Sequence, residues 1–385
     1  MRPFLAVFLA VCCVLGAASS PAEELELKSM AYRPLAPLME YNFQTLLELQ
    51  EYAASPKPLR DPVNYSRLSR LIDRLAGIAH ALPEMTVKER PGLSAVGAVY
   101  EDYLNDLKAG LASGDSIALR NRIRTAAGFC FECHASASGT GFSDARKQAE
   151  RLRLSPFQKA EFLAATGQFE DALKAYKGLL ASGPAESVPF VDLTRAVRNA
   201  LILAVRVKQD AALAEEILGL VKKHEDLSAS LGGTLGAWEK DLAAWMKDKS
   251  GKAVNAGDRL EKARSLVRRA ESLQTYPADH AGDLSYLRAI ASAQEALALG
   301  PNALQKAEAF SILAQAHFML EDPLLWNLDG YYWEACVEAA PHTPQARECF
   351  QRWVQDMSFH YTGSFGNHLP EEASKKLIRL KDFAN

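Results

Sequence analysis

The chain has 385 residues, a formal net charge of −3 and a sequence pI near 6.3. That balance gives no basis for a nucleic-acid partner, and the length is enough for two or three domains. Alanine and leucine abound while alternating Val/Ile/Thr runs are scarce, so an all-α fold is expected.

The N-terminus reads as a secretory signal peptide over residues 1–22. Arg2 is followed by an apolar run from Phe4 to Leu15, then by the small residues Gly16, Ala17, Ala18, Ser19 and Ser20, with cleavage expected near Ala22. The apolar run is too short for a comfortable membrane span, and Cys12 and Cys13 inside it are expected to leave with it. No later stretch reaches 18 uninterrupted apolar residues, so no transmembrane segment is expected in the mature chain.

Residues 23–142 read as four helices. The first is expected from Pro34 to Ala53, ended by Ser55-Pro56-Lys57-Pro58. The second spans Pro62 to Ala81 and shows Leu68, Leu71, Ile72, Leu75 and Ile78 at helical spacing, with Leu82-Pro83-Glu84 as its stop. The third, Leu93 to Ser113, carries Val96, Val99, Tyr100, Tyr103, Leu104 and Leu107. After Gly114-Asp115 the fourth runs from Ser116 to Ala135 and puts Leu119, Ile123, Ala126, Cys130, Cys133 and His134 on one stripe.

That last helix holds Cys130-Phe131-Glu132-Cys133-His134, the attachment signature of a c-type haem. Two thiols three positions apart can add to the two vinyl groups of one porphyrin, and the adjacent imidazole can then ligate the iron. With 6 Cys and 8 His in the chain, composition alone predicts roughly 0.002 such pentapeptides. A structural zinc site would want a second Cys/His pair at matching spacing, which the sequence lacks. A thioredoxin-like redox pair would follow a strand, whereas these surroundings are helical. One covalent haem c is therefore expected, with Cys130 and Cys133 as thioether positions and His134 as the proximal iron ligand.

Four helices of about 120 residues with the motif at the end of the fourth resemble the cytochrome c′ family. The stretch Ala112-Ser113-Gly114-Asp115 through Ala127-Gly128-Phe129-Cys130 is similar to that family's last turn and last helix. The resemblance covers about a third of the chain. It implies that the residue facing the iron comes from the first helix, and Met39 is the candidate distal position, with Met30 behind it. The family's arginine four residues before the distal residue would be Arg33, which points to Pro37, a residue that cannot ligate. The family's aromatic and basic residues after the histidine are replaced here by Ala135-Ser136-Ala137-Ser138-Gly139. His80, at the end of the second helix, is read as a solvated helix-end histidine.

Residues 143–385 read as stacked helix pairs, an α-solenoid. Ala135 to Thr140 forms a small, Gly/Ser-rich hinge, and a basic helix over Arg146–Arg153 follows. Gly167-Gln168-Phe169-Glu170-Asp171-Ala172-Leu173-Lys174-Ala175-Tyr176, ending at Pro184, resembles a tetratricopeptide repeat. Further pairs are expected near 189–224, 229–274, 281–320 and 325–359, with a capping helix over Pro370–Phe383. Cys336 and Cys349 flank the turn Ala340-Pro341-His342-Thr343-Pro344 and are expected to form a structural disulfide in an oxidising compartment. The loop Thr362–His368 reads as surface, and the tryptophans at 238, 245, 326, 333 and 353 as core.

Together these features point to an exported, periplasmic mono-haem cytochrome of a bacterium. It would transfer electrons and be docked to a redox partner protein through its repeats, with no turnover site of a free-standing enzyme. A five-coordinate gas-binding haem protein and a repeat scaffold with a structural haem are the other two readings.

Overall fold

The computed structural model describes residues 35–53, 56–86, 91–136, 144–152, 154–182, 188–248, 255–276, 279–321, 327–363, 366–367 and 369–385. The segment read as a signal peptide, Met30, Arg33, Trp326 and most of the expected hinge lie outside them. Among the described residues the chain is all-α apart from one two-residue antiparallel hairpin, β1 (Thr362–Gly363) with β2 (Gly366–Asn367), paired Thr362 to Asn367. Among the described residues no helix is long and apolar enough to cross a membrane.

The first part contains α1 (Leu35–Tyr52), α2 (Pro56–Arg60), α3 (Pro62–Thr86), α4 (Pro91–Ser113), α5 (Ser116–Thr125) and α6 (Ala127–Ser136). Leu68, Leu71, Ile72, Leu75 and Ile78 of α3 are all buried, and α3 packs along α4 while α1 lies on α3. Three local expectations change. The Ser55–Pro58 breaker is followed at once by a helical turn, because Pro56 and Pro58 both fall in the first turn, where no N–H is required. Pro83 does not stop α3, which continues to Thr86. The Thr86 hydroxyl donates to the Leu82 carbonyl (2.7 Å), and the proline ring sits where a side chain on Gly97 of α4 would meet it at 3.2 Å. The helix thus runs through Pro83 in a close crossing with α4.

The third change is a break in the last helix at Ala126. The Ala126 N–H still bonds the Arg122 carbonyl (3.1 Å), and side chains add to the carbonyls at the end of α5. The Tyr103 hydroxyl donates to the Arg122 carbonyl (2.6 Å) and Gln50 to the Ile123 carbonyl (2.7 Å). The break re-aims α6 so that it packs on α4 on one side and on later helices on the other.

Those later helices are α7 (Ala145–Arg151), α8 (Pro156–Ala165), α9 (Phe169–Ala181), α10 (Phe190–Leu201), a π-helical turn (Ile202–Val207), α11 (Ala211–Lys222), α12 (Glu225–Leu231), α13 (Gly233–Lys247), α14 (Ala256–Leu273), α15 (Asp283–Ala298), α16 (Ala303–Leu320), α17 (Leu328–Ala339), α18 (Pro344–Tyr361) and α19 (Glu371–Ala384). Helix α8 opens with a Ser155/Gln158 capping box. It turns into α9 at Gly167, whose φ of +73° is left-handed and suits glycine. Ala172 and Tyr176 are fully buried beside that turn. Successive helices α14 to α18 each pack on the next, and a disulfide joins Cys336 of α17 to Cys349 of α18 (Cα–Cα 6.1 Å). Trp238, Trp333 and Trp353 are buried, and Trp245 is half-buried beneath the Arg288 guanidinium.

One buried apolar cluster extends from Leu38 to Leu380 across both parts. Tyr331 of α17 donates to the Asp102 carboxylate (2.6 Å) and Tyr332 to the Gly92 carbonyl (2.9 Å), both on α4. The two segments separated in sequence by 137–143 therefore share an apolar and hydrogen-bonded contact.

Candidate functional site

Helix α6 is buried on nearly every side. Phe129 (1 % exposed) faces α4, with its ring 5.2 Å from that of Tyr100 and 4.8 Å from that of Tyr103. Phe131 and Glu132 are buried as well, while Cys130, Cys133 and His134 are half-buried.

Cys130, Cys133 and His134 line one cavity, and Met39 of α1 lines it too. The structure thus brings the four sequence-predicted residues of the site together. His80 does not join them; it lies exposed on α3, 2.8 Å from Glu101. The rest of the wall is apolar and includes Phe43 and Leu82 from the first part and Phe162 from α8 of the second. The enclosed space is about 40 Å³, room for a water molecule. A porphyrin is far larger than this space, so side chains of the lining would have to move to admit one.

The two thiols sit where ionisation is disfavoured. Burial pushes the Cys130 thiol up to about 12, and burial together with Cys130 and Glu132 pushes Cys133 up as well. A redox or metal-binding pair needs its pKa lowered, commonly at a helix N-terminus. Here the cysteines are the fourth and seventh residues of a ten-residue helix. Among the described residues no three His, Cys, Asp or Glu side chains converge as a metal site. The wall's polar groups include Asn42 and Tyr100, both buried, whose side chains hydrogen-bond each other. Burial above all, then the neighbouring cysteines, holds Tyr100 well above the usual phenol range, so it remains a donor.

The sequence reading missed Glu132. Its carboxylate takes two hydrogen bonds from Arg206, 2.6 and 2.7 Å, with side-chain exposures of 6 % and 2 %. Burial alone would raise the Glu132 pKa, but the guanidinium beside it outweighs that and holds it below the usual carboxylate range. Arg206 reaches it from the π turn, where Lys208 N–H bonds the Leu203 carbonyl five residues back. His317 of α16 lies 3.8 Å from the same carboxylate, and its ring stacks on Tyr332 at 5.5 Å. The segment between the two cysteines is thereby tied through Arg206, His317 and Tyr332 back to α4. On the far side of Glu132 opens a larger cavity of about 730 Å³, lined by Arg198, Arg206, Trp238, His280 and His317 among others. An acidic residue between Phe131 and a cysteine, on a helix apolar all round, is the sequence signal that could have pointed to a buried partner.

Comparison with protein-family models, curated proteins and solved structures finds no match.

Proposed function

We propose that this chain is an exported mono-haem c-type cytochrome that carries one electron at a time in the periplasm. It would consist of a cytochrome c′-like four-helix bundle followed by a tetratricopeptide-like α-solenoid that docks a redox partner protein. The observation that carries the reading is the convergence of Cys130, Cys133 and His134 on one largely apolar cavity. Haem c, when bound, would supply the one-electron chemistry. Cys130 and Cys133 would hold the ring by thioether bonds and His134 would present its imidazole to the metal. Phe43, Leu82 and Phe162 would keep water from the ring, and the Glu132–Arg206 pair would fix the helix that carries the ligand.

The test is expression of the full chain with haem-attachment machinery and an optical spectrum of the product. A covalent haem that resists acid–acetone extraction, and is lost in Cys130→Ala/Cys133→Ala, is the expected result. Absence of any haem absorbance in the wild-type protein would falsify the reading.

A further inference from the structure

The cavity of about 730 Å³ behind Glu132 has the size that small organic ligands occupy. Leu201, Leu231, Leu284, Leu287 and Trp238 stand in its walls, so much of an occupant's surface would meet hydrocarbon. One edge differs. Residues 279–282 bring His280 to the cavity with a backbone φ of +54°, a left-handed conformation that residues other than glycine rarely adopt.

That backbone is held from several directions. The Asp279 carboxylate accepts the N–H groups of Thr275 (2.5 Å), Tyr276 (3.2 Å) and Ala281 (3.0 Å). From α13, the Thr234 hydroxyl donates to the Asp279 carbonyl and the Trp238 indole N–H to the His280 carbonyl, both at 2.8 Å. Gly282 lies so close to α14 that a Cβ there would stand 2.8 Å from the Ala270 carbonyl oxygen. Left-handed residues fixed this firmly gather at ligand clamps. The imidazole is fixed too, with Nδ1 3.4 Å from the Asp283 carboxylate. That bond holds His280 above the usual imidazole range, although burial raises Asp283 as well.

Charge selects the ligand. Three carboxylates line the cavity, and each is met within the protein: Glu132 by Arg206, Asp279 by three backbone N–H groups, and Asp283 by His280. A cationic ligand would therefore have to displace a partner. Arg198 lines the same cavity, near enough for its charge to act on both His280 and Asp283. A guanidinium and an imidazole beside an apolar wall suit an acid.

We propose that this cavity binds an organic monocarboxylate with an apolar body, its carboxylate at Arg198 and His280 and its hydrocarbon along Leu231, Trp238 and Leu287. The inference goes beyond the haem reading and does not depend on it.

The test is isothermal titration calorimetry of the full chain with decanoate, set against decanol and decylammonium, which share its body and differ in charge. The expected result is one decanoate per chain, bound about tenfold or more tightly than decanol, a raised melting temperature with decanoate, and no binding of decylammonium. His280→Gln and Arg198→Met should each remove the preference for the acid while leaving decanol affinity unchanged. Ala237→Trp, which fills the cavity from its wall, should abolish binding of both, and far-UV circular dichroism verifies the fold of every variant. Equal affinity for decanoate and decanol would overturn the inference, leaving an apolar cavity without an acid site. Decanoate binding indifferent to His280→Gln and Ala237→Trp would overturn it by placing the acid elsewhere. Absence of both heat and a melting shift with decanoate would overturn it outright. None of these outcomes touches the haem reading, because no haem signal enters the measurement.

Discussion

Glu132 stands between the two motif cysteines, and an unpaired carboxylate there would be among the most costly groups in the fold. Arg206 meets it with a two-bond fork, both side chains buried. Arg206→Met should therefore cost about 3–5 kcal/mol, because it strands the carboxylate, whereas Glu132→Gln/Arg206→Met should recover most of that loss. Urea denaturation of the two variants measures it. Equal losses in single and double variants would show that packing of the long arginine, and not its charge, is what matters. The motif itself was legible because its information is local, held in five consecutive residues. Arg206 was not, since it lies 74 residues on and reaches the motif only through a π turn that no residue pattern announces. Asn42 and Tyr100 escaped for a similar reason. Each sits at a helical position that reads as ordinary core until the neighbouring helices are in place.

At the scale of elements, periodicity located the helices well, and the misplaced boundaries fall where tertiary contacts override local rules. Pro83 is read as a stop and is carried instead by Thr86 and the close approach at Gly97; Ala126 has no breaker chemistry, yet the helix is interrupted there, where Tyr103 and Gln50 bond the Arg122 and Ile123 carbonyls from outside the helix. The α17–α18 hairpin offers two checks. Its disulfide closes a short loop, with a sequence separation of 13, so Cys336→Ala/Cys349→Ala should lose about 3 kcal/mol. A reductant should lower the melting temperature of the wild type and leave the variant unmoved. On the same hairpin, burial first and the neighbouring Asp356 second push the Asp329 carboxyl up to about 7. Asp329 is 4 % exposed, and its unfolded pKa lies near 4. The folded chain therefore binds this proton more tightly, so the contribution favours folding below about pH 4 and is lost as pH rises through 7. Asp329→Asn should stabilise the protein by roughly 1–3 kcal/mol at pH 8 and change little near pH 4. Thermal melts at both values decide it, and a variant less stable at pH 8 would refute the assignment.

For the whole molecule, the question is whether the motif-bearing helices and the later helix pairs are one folding unit or two. Sequence reasoning divides them at a Gly/Ser-rich stretch, a reasonable inference because small polar residues carry no record of what packs across them. Three observations weigh toward one unit. The cavity of the cysteines takes a wall residue, Phe162, from α8. The motif's own Glu132 is neutralised from the π turn. Tyr331 and Tyr332 of α17 bond back to α4. Each of these contacts vanishes if either part opens alone, so local opening of one should release the other. The chain supplies a probe for this, because all five tryptophans lie at positions 238–353, in the second part, whereas far-UV circular dichroism sums over both parts. Urea unfolding followed by tryptophan fluorescence and by circular dichroism should give coincident transitions with one midpoint. Arg206→Met should shift both curves together toward lower urea. Were the fluorescence transition to separate from the circular dichroism, or Arg206→Met to move only one of them, the two parts would be independent domains. The salt bridge behind the motif would then join them without coupling their folding.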